Sequence, residues 1–86
     1  MTYDLIFSYT ALKQLKKLDS NIQGRIKNSL ERIIIRPENY VKKLVGEPYY
    51  SFRVRDYRLI LDLQKDKLII FIVILGYRKS IYENIK

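Results

Sequence analysis

Residues 50–63 read YSFRVRDYRLILDL, and the order of apolar and charged side chains here decides the fold. Tyr50, Phe52 and Val54 lie on one parity, whereas after Asp56 the apolar residues move to the other parity, at Leu59, Leu61 and Leu63. A period of two marks a half-buried strand, and a change of parity in the middle of such a run marks a tight reversal. The segment is therefore a β-hairpin. If the turn is Asp56-Tyr57, Arg55 faces Arg58; if it is Arg55-Asp56, Arg53 faces Arg58. Either register sets two arginines against each other, which destabilises a sheet and suggests that an anion belongs beside Arg53, Arg55 and Arg58. The plainer reading is a solvent face or edge that positive charge protects against aggregation.

Outward from the hairpin, a turn near Asp66 leads into residues 67–76, whose apolar stretch LIIFIVIL fits a central strand covered on both faces. Before the hairpin, residues 38–48 hold the turn formers Asn39, Gly46 and Pro48 and read as a loop. Two helices are expected ahead of that loop. Thr10 is placed to cap the first, with Leu12, Leu15 and Leu18 as its apolar stripe and Lys13, Lys16 and Lys17 in water. Ser20 or Asn21 is placed to cap the second, where Ile22, Ile26, Leu30, Ile33 and Ile34 recur at spacings of three and four until Pro37 forbids continuation. So tight a connection makes the pair an antiparallel helical hairpin. At the start, Tyr3, Leu5, Phe7 and Tyr9 fall on one parity and Thr2, Asp4, Ile6 and Ser8 on the other, which reads as a half-buried first strand. The expected fold is α+β: an N-terminal strand, a helical hairpin, then a three-stranded antiparallel meander whose small sheet carries the helices on one face.

The 86 residues suit one domain, spanning 1–86, with a single core. Without cysteine neither a disulfide nor a thiolate metal site is available, and a reducing cytoplasm suits the chain. The N-terminus lacks the basic flank and long apolar run of a signal peptide, and the longest apolar stretch is too short to span a bilayer as a helix. No membrane association is expected. Seventeen Lys and Arg against nine Asp and Glu give a net charge of +8, a field that draws polyanions, with nucleic acid first among them. The helix cations Lys13, Lys16, Lys17, Lys27 and Arg32 read as a solvated surface that could steer the chain toward RNA.

The residue inventory narrows the chemistry. With no histidine and no cysteine, the His-based triads, the Cys-His pairs and a His-ligated zinc are excluded. The acids are scattered singly, unlike the carboxylate clusters of two-metal nucleases, and the three glycines are isolated, so no phosphate loop exists. Neither a metal nor a small-molecule cofactor is expected. Arginine and tyrosine remain, and they suffice for RNA, whose 2′-hydroxyl is a built-in nucleophile beside each phosphate. A protein need only orient it and stabilise the charge on the phosphoryl oxygens. A free tyrosine, with its pKa near 10, is a poor base at neutral pH, but neighbouring guanidinium groups favour its phenolate.

After the apolar strand comes GYRKSIY, residues 76–82, in which Arg78 follows the strand and Tyr82 lies four residues further on. Taken together, LVGEPYYSFRVRDYRLIL, a short turn, an apolar strand and G-x-R-x-x-x-Y resemble the RelE/ParE superfamily of toxins, and most closely its RelE branch. The resemblance covers nearly the whole chain. It implies a ribosome-dependent, metal-independent endoribonuclease that cuts messenger RNA in the ribosomal A site, held in check by an acidic, RelB-like antitoxin. By motif, the implied catalytic residues are Arg53, Arg58 and Arg78, which clamp the phosphate, and Tyr82, which activates or orients the 2′-hydroxyl. Arg55 is implied as a backbone contact, and Tyr77 as a base-stacking residue where many relatives have histidine. One departure stands out: Ser51 occupies a position where RelE chains often carry a catalytic lysine. Either Arg53, Arg55 or one of the loop residues Lys42 and Lys43 replaces that charge, or catalysis is weaker than is usual in the family. Two alternatives share these features: a ParE-like inhibitor of DNA gyrase, and a non-catalytic RNA- or ribosome-binding module.

Overall fold

The structure, a computed structural model, describes residues 2–77. Its elements are β1 (Asp4–Phe7), α1 (Tyr9–Lys16), α2 (Ser20–Ile33), a 3-10 turn (Pro37–Asn39), β2 (Lys42–Lys43), β3 (Tyr50–Val54), β4 (Tyr57–Gln64) and β5 (Ile69–Tyr77). The five strands form one sheet in the order β1-β5-β4-β3-β2, with β1 parallel to β5 and the other neighbours antiparallel. The expected elements are all present. β5 lies inside the sheet between β1 and β4, but it is not covered on both faces: Ile70, Ile72 and Leu75 face the core, whereas Phe71 and Ile74 on the other side are only half-buried.

One face of the sheet carries the helices. Ala11 and Leu15 of α1 and Ile26, Leu30 and Ile33 of α2 pack on Phe52, Val54, Leu59, Leu61, Ile70, Ile72 and Leu75. Tyr3, Leu5 and Phe7 of the first strand lean on the same core, while Ile6 points away, as the alternation requires. On α1 the buried residues are Ala11 and Leu15, with Leu18 just past the helix end packed half-buried on the same core, whereas Leu12 stays 38% exposed. Core positions 70 and 72 are even and position 75 is odd. A bulge opposite the Ile60/Leu61 step makes this change, since Leu61 pairs with Ile72 and Ile60 with Ile74, skipping Val73. Among the described residues no helix is long and apolar enough to cross a membrane.

Several boundaries differ from expectation. Ser8, not Thr10, caps α1: its hydroxyl accepts from the Ala11 N–H at 2.9 Å and donates to the Val73 carbonyl at 2.6 Å, tying the helix start to the bulge. Gln14 continues the tie, its Oε1 accepting from the Leu75 N–H at 2.8 Å. Ser8→Ala removes both bonds of the hydroxyl, so a fall in unfolding free energy of about 1–2 kcal/mol is expected from urea titration. Asp19 occupies the cap position of α2, without a side-chain cap bond, and the helix ends at Ile33 rather than running to Pro37. Pro37 instead opens the 3-10 turn. The supposed loop at 38–48 contains β2, whose two residues are too few to carry a period.

The hairpin resolves to the second register. Arg55 and Asp56 form the turn, Phe52 pairs with Leu59, and Arg53 pairs with Arg58. Arg55 adopts φ +55°, where glycine is the usual occupant of a two-residue hairpin loop. A left-handed backbone costs a side-chain-bearing residue about 1–2 kcal/mol.

Candidate active site

The face of β3 and β4 opposite the helices carries the charge. Arg53 and Arg58 are direct cross-strand partners, and on the far side of Arg58 its partner in β5 is Gly76, which offers no side chain. One row across the sheet thus runs Arg53, Arg58, Gly76. The next row begins with Lys42 of β2, paired with Ser51 of β3, and continues to Ile60. Side chains two apart on a strand share a face, so Ser51 and Arg53 point the same way, as do Arg58 and Ile60. Lys42, Ser51, Arg53 and Arg58, together with Tyr40 just before β2, line a cavity of about 220 Å³.

None of these five residues is acidic. Opposed like charges weaken a pair of strands by roughly 0.2–1 kcal/mol. A phosphate among them reverses the sign, because opposite unit charges 4 Å apart near a protein surface attract by about 4 kcal/mol. The cavity is therefore poised for an anion. Arg58 is half-buried on a strand paired on both sides, whereas Arg53 is exposed, with its Nε donating to the Arg55 carbonyl at 3.0 Å. Both backbones are fixed before any ligand arrives, the condition under which donors act most strongly on developing charge.

The other sequence candidates lie elsewhere. Lys43 points to the opposite face from Lys42, its ammonium 4.9 Å from the centroid of the Tyr50 ring. Arg55 sits in the hairpin turn and faces α2 rather than the cavity. Tyr77, at the end of β5, is paired with Tyr57 and meets its ring edge-on, with centroids 5.7 Å apart. Leu18, Tyr57, Leu75 and Tyr77 line a separate, more apolar concavity of about 370 Å³ beside Gln14 and Lys17. Arg78 and Tyr82 lie outside the described residues. Tyr40 is a cavity residue that the sequence did not single out, since nothing in a turn-rich segment marks which residue meets a distant strand.

Comparison with known proteins matches this architecture. The family model described as ParE toxin of type II toxin-antitoxin system, parDE, covers residues 5–82. The chain is 32% identical to the mRNA interferase toxin RelE of Escherichia coli (strain K12) over 82 residues, which cover 92% of this chain and 86% of that protein. Among solved structures, a doubly substituted E. coli RelE in the free state superposes with a TM-score of 0.80 at 30% identity, covering 95% of this chain and 90% of that one. The toxin chain of the intact E. coli RelBE toxin-antitoxin complex gives a TM-score of 0.77 at 31% identity, covering 87% and 95%.

Proposed function

This chain belongs to the RelE/ParE superfamily of toxins, and from that premise we propose that it is the toxin of a type II toxin–antitoxin system and cuts messenger RNA in the ribosomal A site. The observation that carries the reading is a cavity with no acid among its described lining residues, where Lys42 of β2 meets Arg53 and Arg58 of the hairpin on one face of the sheet. Such a site suits a phosphodiester. In the reaction the 2′-oxygen attacks the adjacent phosphorus, the bond to the 5′-oxygen breaks, and a 2′,3′-cyclic phosphate remains on the upstream fragment. The 2′-hydroxyl gives up its proton, and the departing 5′-oxygen gains one. Arg53 and Arg58 hold the phosphoryl oxygens and offset the charge that builds on them in the transition state. Arg78 adds a third guanidinium, and Tyr82 orients the 2′-hydroxyl and helps to remove its proton. Arg55 contacts the RNA backbone, and Tyr77, 48% exposed, offers a ring face to a base.

The ribosome supplies what the isolated cavity lacks, a message held in a defined conformation next to the site. An acidic antitoxin is the natural partner of a chain with a net charge of +8, and the E. coli relative RelE is found in a toxin–antitoxin complex. The cytoplasm is where both message and ribosome are met.

The test is primer extension on translating ribosomes programmed with a defined message. Wild type is expected to cut within the A-site codon, and Arg78→Ala and Tyr82→Phe to lose most of the cutting. The family match is to a ParE toxin, so supercoiling by DNA gyrase is assayed in parallel. Gyrase inhibition with an intact message would replace this reading, and ribosome binding without cutting by wild type would reduce the chain to a binding module.

A further inference from the structure

A second basic concavity lies apart from the proposed cutting site. It measures about 340 Å³ and opens between α2 and the end of β3, where Arg25, Asn28, Ser29 and Arg32 face Arg53 and Arg55. The four helix residues follow one another at spacings of three, one and three, so they make a single ridge along α2. That ridge flanks the buried stripe Ile26, Leu30 and Ile33, which fixes its orientation toward the sheet. Among the described residues no carboxylate lines the concavity.

Four guanidinium groups around one space repel each other, and the chain has placed one of them at a cost. Arg55 holds the left-handed position of the hairpin turn, where glycine would be less strained. Arg53 lines both concavities. β2 pairs only with Tyr50 and Ser51, so it stops short of Arg53 and leaves the edge of β3 open between the two spaces. A chain of anions with regular spacing could pass from one to the other around that edge.

We propose that Arg25 and Arg32 of α2, with Arg53 and Arg55, form a second RNA phosphodiester site, continuous with the cutting site through Arg53. The proposal rests on the reading of this chain as an RNA-cutting toxin. Guanidinium forks match phosphate oxygens two at a time, and Asn28 and Ser29 supply neutral hydrogen-bonding groups between them. The phosphodiester comes from the message flanking the cut or from ribosomal RNA, and two arms of one experiment tell these apart.

The first arm measures binding of a single-stranded 2′-O-methyl oligonucleotide, which carries every phosphate but no free 2′-hydroxyl and so cannot be cut. Affinity is followed across a salt series for wild type, for Arg25→Gln/Arg32→Gln, and for Lys13→Gln/Lys16→Gln. The lysine pair removes equal charge from α1, where the Lys13 ammonium lies 5.1 Å from the centroid of the Tyr9 ring. The second arm repeats the series with ribosomes lacking a message. The arginine pair is expected to weaken binding about 5–20-fold at low salt and to make the salt slope shallower by about 1, with a much smaller effect from the lysine pair. Loss in the first arm assigns the site to the message, and loss in the second alone assigns it to ribosomal RNA. Equal losses from both pairs would reveal only a diffuse field and overturn the site, as would no loss in either arm. Weakened binding of the acidic antitoxin with RNA affinity intact would overturn it in favour of a protein partner. Cutting by wild type on programmed ribosomes is read separately, so failure of this site is distinguishable from failure of the proposed activity.

Discussion

Replacing Arg58 by alanine is expected to slow single-turnover cutting of a ribosome-bound message by about 10²–10³-fold, the loss usual for a fixed donor to an oxyanion. Of the described cavity residues Arg58 has the firmest support: it is half-buried, and its strand pairs with β3 on one side and β5 on the other. Gly76 opposite leaves room for a ligand beside it. Arg58→Lys keeps the charge but not the planar fork, and an intermediate rate is expected. Thermal melting is followed alongside the rate for both variants. A slow and well-folded variant assigns the defect to chemistry, whereas loss of the fold would leave Arg58→Lys, measured for rate and melting together, to decide.

The second large effect concerns the missing lysine. Ser51 stands where RelE chains often place that charge, and its cross-strand partner is Lys42, on the same face and in the same cavity. A directly paired residue on the neighbouring strand has its Cβ only about 4.5–5.5 Å away, well within the reach of a lysine. Lys42→Ala is therefore expected to lower the cutting rate by about 10–100-fold. Adding Ser51→Lys to that variant should recover most of the loss, because the ammonium returns to the cavity from the other strand. A merely structural role for Lys42 does not predict recovery. Lys43→Ala serves as control and should leave the rate within about twofold, since that side chain packs over Tyr50 on the opposite face. Failure of Ser51→Lys to rescue, in a variant that folds, would remove Lys42 from the site.

How far the sequence alone reaches depends on whether a feature is periodic. The hairpin was legible because the apolar residues change parity at Asp56, but parity did not separate the two turn registers. The observed turn is Arg55-Asp56, with Arg55 in the left-handed region, and it sets Phe52 beside Leu59 and Tyr50 beside Leu61 on neighbouring strands. The bulge at Val73 was invisible, because LIIFIVIL is apolar throughout and has no alternation to interrupt. Ser8 and Thr10 can both cap a helix, and Ser8, the better capper of the two, is also held by a bond to Val73, 65 positions away. The same limit applies to the site. Arg53 and Arg58 were legible as a pair because they share a hairpin. The approach of Tyr40 and Lys42 depends on a two-residue strand, and Arg25 and Arg32 read as solvated helix surface until β3 is placed beside them.

The proposed activity requires that the basic hairpin act on a phosphate attacked by the message's own 2′-hydroxyl. The direct measurement is single-turnover cutting of two ribosome-bound messages, one all-ribose and one with a single 2′-deoxy nucleotide immediately upstream of the cut. The all-ribose message should be cut to a fragment ending in a 2′,3′-cyclic phosphate, identified by mass spectrometry, and the substituted message should remain whole at that position. Cutting of the 2′-deoxy message at the same bond would contradict the account.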